Sequence, residues 1–147
     1  TMATQELKVV GTAMYPKVFE RNRDKASFHE DTDGACTIDV VLEKEEFDKL
    51  KASGFRGRPS VTDEGMSVKF RRKWKDPVSD DFGGAPQVVD REGQDWDDSV
   101  SIGNGSKVSV AVDVYDTSMG KGARLTGVQV LELIEYATED YQKKLPF

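Results

Sequence analysis

The sequence predicts an all-β domain built around a β-hairpin in the last third of the chain. From Val108 to Tyr115, apolar and more polar residues alternate, which is the period of a strand with one buried face. A glycine-containing turn follows at residues 119–122, and residues 123–135 are apolar enough to form a second, well-buried strand. Because a single hairpin is only marginally stable in water, the rest of the chain must supply strands that cover it.

The first strand is predicted over residues 6–14, with a bend where Gly11 interrupts its apolar pattern. Pro16 has no N–H to donate to a neighbouring strand, so regular pairing should end at Tyr15. Residues 19–33 are polar, with basic and aromatic side chains interleaved. We expect a flexible connection there, of the kind that often holds a ligand.

A second strand and a short helix are predicted next. In the strand, over Ala35–Leu42, Cys36 stands on the apolar face, so the sole cysteine is expected to be a buried core residue. In the helix, over residues 43–53, Phe47 and Leu50 are three positions apart. Acidic residues begin this segment and lysines end it, which suits a helix dipole, and Gly54 follows as a stop.

The third strand, predicted over residues 65–75, has two very different faces. Met66, Val68 and Phe70 point to one side, and Arg72 and Trp74 continue that side as it leaves the core. The other side is cationic. We call its four residues the basic strip: Lys69, Arg71, Lys73 and Lys75.

A long acidic excursion over residues 76–99 separates the third strand from the hairpin, and residues 87–90 are expected to form an edge strand within it. The predicted order of elements fits a five-stranded barrel: two strands, a helix, a basic strand, an excursion and a closing hairpin. The same order is also compatible with a β-sandwich.

The composition indicates one soluble domain over residues 1–147, with residues 137–147 as a short C-terminal tail. No apolar run reaches membrane-spanning length and no signal peptide is recognisable, so no membrane partner is expected.

The net charge is −6, but its distribution is uneven. Residues 56–75 carry seven basic and two acidic side chains, whereas residues 76–98 carry one basic and eight acidic. Local charge, rather than the total, decides what binds to each surface.

The hairpin carries a family resemblance. Residues 102–107 (IGNGSK), the alternating valines, the small-residue loop and residues 129–133 (QVLEL) resemble the end of the barrel in the gene 2.5 type single-stranded-DNA-binding proteins of short-tailed bacteriophages. Weaker likeness extends to residues 11–13, 37–40 and 68–71. This resemblance implies an OB-fold, a five-stranded barrel with one short helix and, here, a long acidic excursion before the closing hairpin.

Single-strand binders combine cations for phosphates with exposed rings for bases. Alternate residues of a strand are about 6.6–6.8 Å apart, so the basic strip could follow the phosphates of an extended strand. The alternative is that these cations protect a sheet edge from aggregation. In the resembled family, basic and aromatic residues of the third strand and the hairpin contact DNA, and Arg71, Lys73 and Tyr115 stand closest to those positions. The predicted nucleic-acid-binding residues are Tyr15, Phe19, Arg21, Lys69, Arg71, Lys73, Trp74, Lys75, Lys107, Tyr115, Lys121 and Arg124.

The four rings of that set could each be a core residue instead, and for Phe19 the two interpretations are evenly balanced. No catalytic, cofactor or metal site is predicted. Residues 31–34 lack the ligands of a calcium loop, and Asp95, Asp97 and Asp98 are split between two faces. His29 has no nucleophile nearby in the sequence, and residues 120–122 lack the spacing of a phosphate-binding loop.

The resemblance implies a sequence-independent single-stranded-DNA-binding protein of phage DNA replication and recombination, working in the host cytoplasm. Such a protein coats and protects single strands and aids annealing. The competing hypothesis is a phage structural or protein-interaction module whose basic strand forms an interface.

Members of the resembled family end in an acidic tail that closes with an aromatic residue. Here Phe147 is preceded by Lys143 and Lys144. We expect Phe147 to contact a replication protein or a second copy of the chain in a homodimer, or else to pack on its own barrel.

Overall fold

The computed structural model describes residues 5–63, 65–117 and 120–134, without the side chains of residues 27–29. Within these ranges the chain forms seven strands, one α-helix and three short 3₁₀ turns. The strands are β1 Gln5–Lys17, β2 Ala35–Leu42, β3 Ser60–Thr62, β4 Gly65–Lys73, β5 Gln87–Val89, β6 Lys107–Thr117 and β7 Gly120–Glu132. The helix, α1, is Lys44–Ala52, and the turns are Glu20–Asn22, Ser27–Thr32 and Asp80–Phe82.

Five of the strands close into a ring. Antiparallel pairing joins β4 to β2, β2 to β1, β1 to β6 and β6 to β7. A parallel contact between β4 and β7, where Arg71 is the register partner of Arg124, completes the circle. The short strands β3 and β5 lie at its edges. The predicted five-stranded OB-like barrel is therefore confirmed, and the sandwich alternative is wrong.

The core is made by the apolar face of each strand. Val108, Val110, Val112 and Val114 are all fully buried, as their alternation predicts. Cys36 is also fully buried, and burial raises the pKa of its thiol to about 11. The hairpin and the core assignment of Cys36 are confirmed. Strand β7 nevertheless begins at Gly120, within the predicted turn, and only its Leu125, Val128 and Val130 are buried, so it is less buried than predicted.

Helix α1 covers one end of the barrel. Its Phe47 and Leu50 are buried, as predicted. The Glu46 carboxylate accepts a hydrogen bond from the Val10 backbone N–H at 2.9 Å, which ties the helix to β1. Among the described residues no helix is long and apolar enough to cross a bilayer.

Strand β1 pairs with β6 from Gln5 to Thr12 and with β2 from Gly11 onward, so it passes from one neighbour to the other at Gly11. A side chain at Gly11 would collide with the Val41 carbonyl. Glycine is needed at this position for close approach of the strands. The strand also runs on to Lys17, with a register shift between Met14 and Lys17 that includes Pro16. The proline interrupts pairing but does not end the strand.

The connection over residues 19–33 is more structured than the sequence predicts. It contains two 3₁₀ turns, and the Arg23 guanidinium donates hydrogen bonds to the Glu20 and Asp33 carbonyls at 2.9 and 2.8 Å. The predicted edge strand of the acidic excursion is confirmed as β5, which pairs in parallel with β7. The short strand β3 was not predicted from the sequence.

Candidate nucleic-acid interface

The basic strip lies on the outer face of β4 and the residues that follow it. Lys69, Arg71, Lys73 and Lys75 are exposed, whereas Val68 and Phe70 are only 2% and 1% exposed. The predicted division of this strand into an apolar and a cationic face is therefore correct. Alternation along β4 sets the strip cations about 6.6–6.8 Å apart.

Three cations of the strip form no ion pair in the described parts of the chain, although the charge of Lys73 contributes, after hydrogen bonds from the backbone of residues 78 and 79, to lowering the pKa of Asp76. The ion pairs found there include Lys69, whose Nζ is 3.9 Å from the Asp39 carboxylate, but not Arg71, Lys73 or Lys75. Arg71 is moreover the register partner of another cation, Arg124. Like charges on adjacent strands are unfavourable unless an anion joins them. The surface is thus suited to an anionic ligand.

Two aromatic rings flank the strip at Arg124. The guanidinium carbon of Arg124 lies 3.9 Å from the centroid of the Phe82 ring and 4.5 Å from that of Tyr115. Tyr115 lies across Gly122, its register partner on β7, where a Cβ would come within 3.2 Å of the Tyr115 Cζ. The absent side chain leaves room for the ring. Cation–π contacts therefore place two rings and an arginine next to Arg71.

Arg72 supports this arrangement from the other face of β4. Its guanidinium donates hydrogen bonds to the Asp81 carbonyl at 2.7 Å and to the Gly83 carbonyl at 2.9 Å. Burial, together with the charge of Arg124, lowers the pKa of Arg72. These bonds fix the Asp80–Phe82 turn against the barrel, and so hold the Phe82 ring beside Arg124.

Trp74 stands at the far end of the strip. It is half-buried, and the Arg23 guanidinium carbon lies 4.6 Å from its ring centroid. The Arg23 side chain is only 10% exposed and is held by hydrogen bonds to residues 20 and 33. The indole is therefore braced in a fixed position while part of its surface remains open to solvent.

Lys121 lies near the strip at the start of β7, but its charge is partly balanced. Its Nζ is 3.6 Å from the Asp116 carboxylate, and its stem lies against Gly54 just after α1. The backbone of Phe55 forms a bridge to Lys121, which brings the loop after α1 alongside the hairpin.

Three predicted residues do not join the strip. Phe19 is a core residue, only 6% exposed, so its ring is not free to stack on a base. Arg21 is exposed, but it donates hydrogen bonds to the Asp98 carbonyl at 3.0 Å and the Ser101 hydroxyl at 3.1 Å, which fasten one loop to another. Lys107 begins β6, eight residues before Tyr115, and is therefore about 27 Å from it along the strand.

Tyr15 is separate from the group formed by Arg124, Phe82 and Tyr115, which we call the Arg124 cluster. The residue is 59% exposed and lines a groove that also contains Lys69, the first residue of the strip. Phe147, predicted to bind a partner, lies outside the described residues.

Sequence reasoning missed two residues near the strip. Arg58 lines the groove beside Lys69, and its only signal is membership of the basic segment 56–75. Phe82 lies in the acidic excursion, where no pattern indicates contact with Arg124.

A second cleft lies on the outer face of β1, β6 and β7, and at Asp113, the register partner of Arg124, it comes close to the rings around Arg124. It has a volume of about 370 Å³ and is lined by side chains of mixed charge, including Glu6, Lys8 and Asp113. No group of three side chains suited to hold a metal ion occurs in the described ranges.

Comparison with known proteins supports the fold. No protein-family model matches the sequence, and no curated protein matches it significantly. Among solved structures, the chain is similar to gp2.5, a single-stranded-DNA-binding protein encoded by bacteriophage T7, with 18% identity and a TM-score of 0.61 over 97% of this chain and 96% of that one. It is also similar to a C-terminally truncated single-stranded-DNA-binding protein from bacteriophage Enc34, with 16% identity and a TM-score of 0.59 over 88% and 87% of the two chains. The chain therefore has the fold of these phage proteins, which is the fold that its sequence resemblance implies.

Proposed function

We propose that this chain is a sequence-independent single-stranded-DNA-binding protein of phage DNA replication and recombination. One observation carries the proposal: the exposed cations Arg71, Lys73 and Lys75 have no ion-pair partner in the described ranges and lie beside the rings packed on Arg124. A surface of this kind offers both the positive groove and the stacking platforms that single strands require.

The position of the strip on the barrel supports the same function. In OB-folds generally, oligonucleotides bind across the second and third barrel strands and the loops beside them. Here those strands are β2 and β4, and the neighbouring loops contain residues 18–34 and the β6–β7 turn. The basic strip and Tyr115 occupy this face.

The chemistry of the surface favours single strands of any sequence. Its groups are cations and rings, and phosphates and base faces carry little sequence information. Rings can stack only on unpaired bases, so duplex DNA should bind less tightly. The two phage proteins that share the fold are named as single-stranded-DNA-binding proteins, which supports the same ligand here.

The biological role follows from the resemblance. We propose that the protein coats and protects single strands, aids annealing in the host cytoplasm, and has no catalytic activity. Phe147 is proposed to contact a replication protein or a second copy of the chain.

The test is a fluorescence titration with a poly-pyrimidine single strand and with a duplex of equal length, at several salt concentrations. We expect the single strand to bind more tightly, with an affinity that falls steeply with salt. Each phosphate neutralised adds about −0.7 to the slope of log K against log salt concentration. Equal affinity for the duplex, or no dependence on salt, would refute the proposal and favour an interface role for the strip.

A further inference from the structure

A groove on the outer face of the barrel opens at the Lys69 end of the basic strip. Its volume is about 550 Å³, within the range of small-ligand sites. Two cross-strand rows form its floor, one with Met14, Asp39 and Lys69, the next with Val41 and Ser67. The unpredicted strand β3 forms the far wall, and Tyr15 lines the side formed by β1.

The backbone at Tyr15 is strained. Its φ is +50°, a left-handed conformation that is unusual for a bulky aromatic residue. The residue lies within the register shift of β1, and its N–H donates a hydrogen bond to the Asn104 Oδ1 at 2.6 Å. The strained conformation does not bury the residue, which stays 59% exposed. Strained residues and strand bulges that re-aim a side chain are common at binding sites.

The charges of the groove favour a neutral ligand. Arg58 and Lys69 are matched by Asp39 and Asp63, so the lining has no net formal charge, and its floor includes the apolar side chains Met14 and Val41. A flat, neutral group suits this lining better than a phosphate does. The first cation of the strip that forms no ion pair in the described ranges is Arg71. It lies two residues after Lys69 on β4, about 6.6–6.8 Å away.

We propose that the groove is a nucleobase subsite, in which Tyr15 stacks on one base of the single strand held by the basic strip. This inference rests on the proposed function. A strand whose phosphates follow Arg71 and Lys73 reaches the groove at Lys69, where the lining changes from cationic to neutral and an exposed ring is available. The hydrogen bond from the Tyr15 N–H to Asn104 holds the backbone of this residue in place before DNA binds.

The test compares Tyr15→Asn with Tyr15→Phe. Asparagine accepts a positive φ more readily than tyrosine, so Tyr15→Asn should melt no lower than the wild type. Loss of the ring should weaken poly-pyrimidine binding by about 5- to 150-fold, the contribution of one stacked base. The slope of log K against log salt concentration should not change, because no phosphate contact is lost. Tyr15→Phe should restore the lost affinity.

Photocrosslinking locates the contact directly. A single strand carrying 5-iododeoxyuridine should form a crosslink to Tyr15, identified by mass spectrometry of the crosslinked peptide. If the wild type binds single strands while Tyr15→Asn binds equally well and Tyr15 forms no crosslink, the subsite is refuted and the proposed function stands. A flatter salt slope in Tyr15→Asn would also refute the subsite, since the ring would then support phosphate contacts. Failure of the wild type to bind single strands would refute both proposals.

Discussion

Replacing Arg71 and Lys73 with glutamine should remove phosphate contacts without harming the fold. Both side chains are exposed and neither forms an ion pair in the described ranges, so their loss should change stability by no more than about 0.5 kcal/mol, or about 1–2 °C in Tm. If each contacts one phosphate, the slope of log K against log salt concentration should flatten by about 1.4. Over a fourfold rise in salt, the wild type would then lose about sevenfold more affinity than the variant.

Fluorescence polarisation of a labelled single strand measures this slope. The matched control is Lys8→Gln with Lys44→Gln, which removes the same charge elsewhere. Lys8 lies on β1, which does not pair with β4 in the barrel, and Lys44 is 82% exposed at the start of α1. The control should keep the wild-type slope apart from a small effect of net charge. An Arg71/Lys73 variant with an unchanged slope, or a control that flattens as much, would refute the assignment of phosphate contacts to the strip.

Three further predictions concern buried groups. Val110→Asp should abolish the cooperative thermal transition seen by circular dichroism, because it puts an unpaired charge into a fully buried site. The control Ser109→Asp, on the outer face of the same strand, should keep the transition. Burial raises the pKa of Cys36 from 9.0 to about 11, so the stability held by its protonated thiol should be present below pH 9 and lost as the pH rises to 11. In denaturant titrations, the stability of the wild type relative to Cys36→Ala should therefore fall between pH 9 and 11, and no such fall would contradict this. Burial also raises the pKa of Asp39, so Asp39→Asn should not destabilise the barrel. Because the substitution frees Lys69 from its ion pair, it should tighten single-strand binding a few-fold. Weaker binding in a titration would contradict this prediction.

The parts of the fold that were correctly predicted depend on short-range patterns. Alternation alone identified the buried valines of β6 and the two faces of β4, because side-chain direction in a strand depends only on position parity. The helix followed equally from Phe47, Leu50 and the order of its charges. Closure of the ring could not be predicted in this way, since it depends on the contact between Arg71 and Arg124, which are 53 positions apart.

Prediction of the site residues was limited in the same way. The cations of the strip were identifiable because they repeat at every second residue. For Phe19 the sequence could not decide between a core and a stacking role, since an aromatic residue among polar neighbours has no periodic partner that shows which way it points, and its burial selects the core. Phe82 was missed because its contact with Arg124 depends on the folding of the excursion, which the hydrogen bonds of Arg72 hold in place. Tyr15 needed the register shift of β1 to show where its ring lies.

Titration of ¹⁵N-labelled protein with a poly-pyrimidine single strand, followed by NMR, shows which residues the DNA contacts. If the basic strip and the Arg124 cluster hold the strand, the largest amide shifts should fall on β4 from Lys69 onward and on Gly122 and Arg124 in β7. The part of the second cleft around Lys8 and Gln129 provides the contrast within the same molecule. Shifts confined to that cleft, with β4 unaffected, would show that DNA binds elsewhere and would contradict the account.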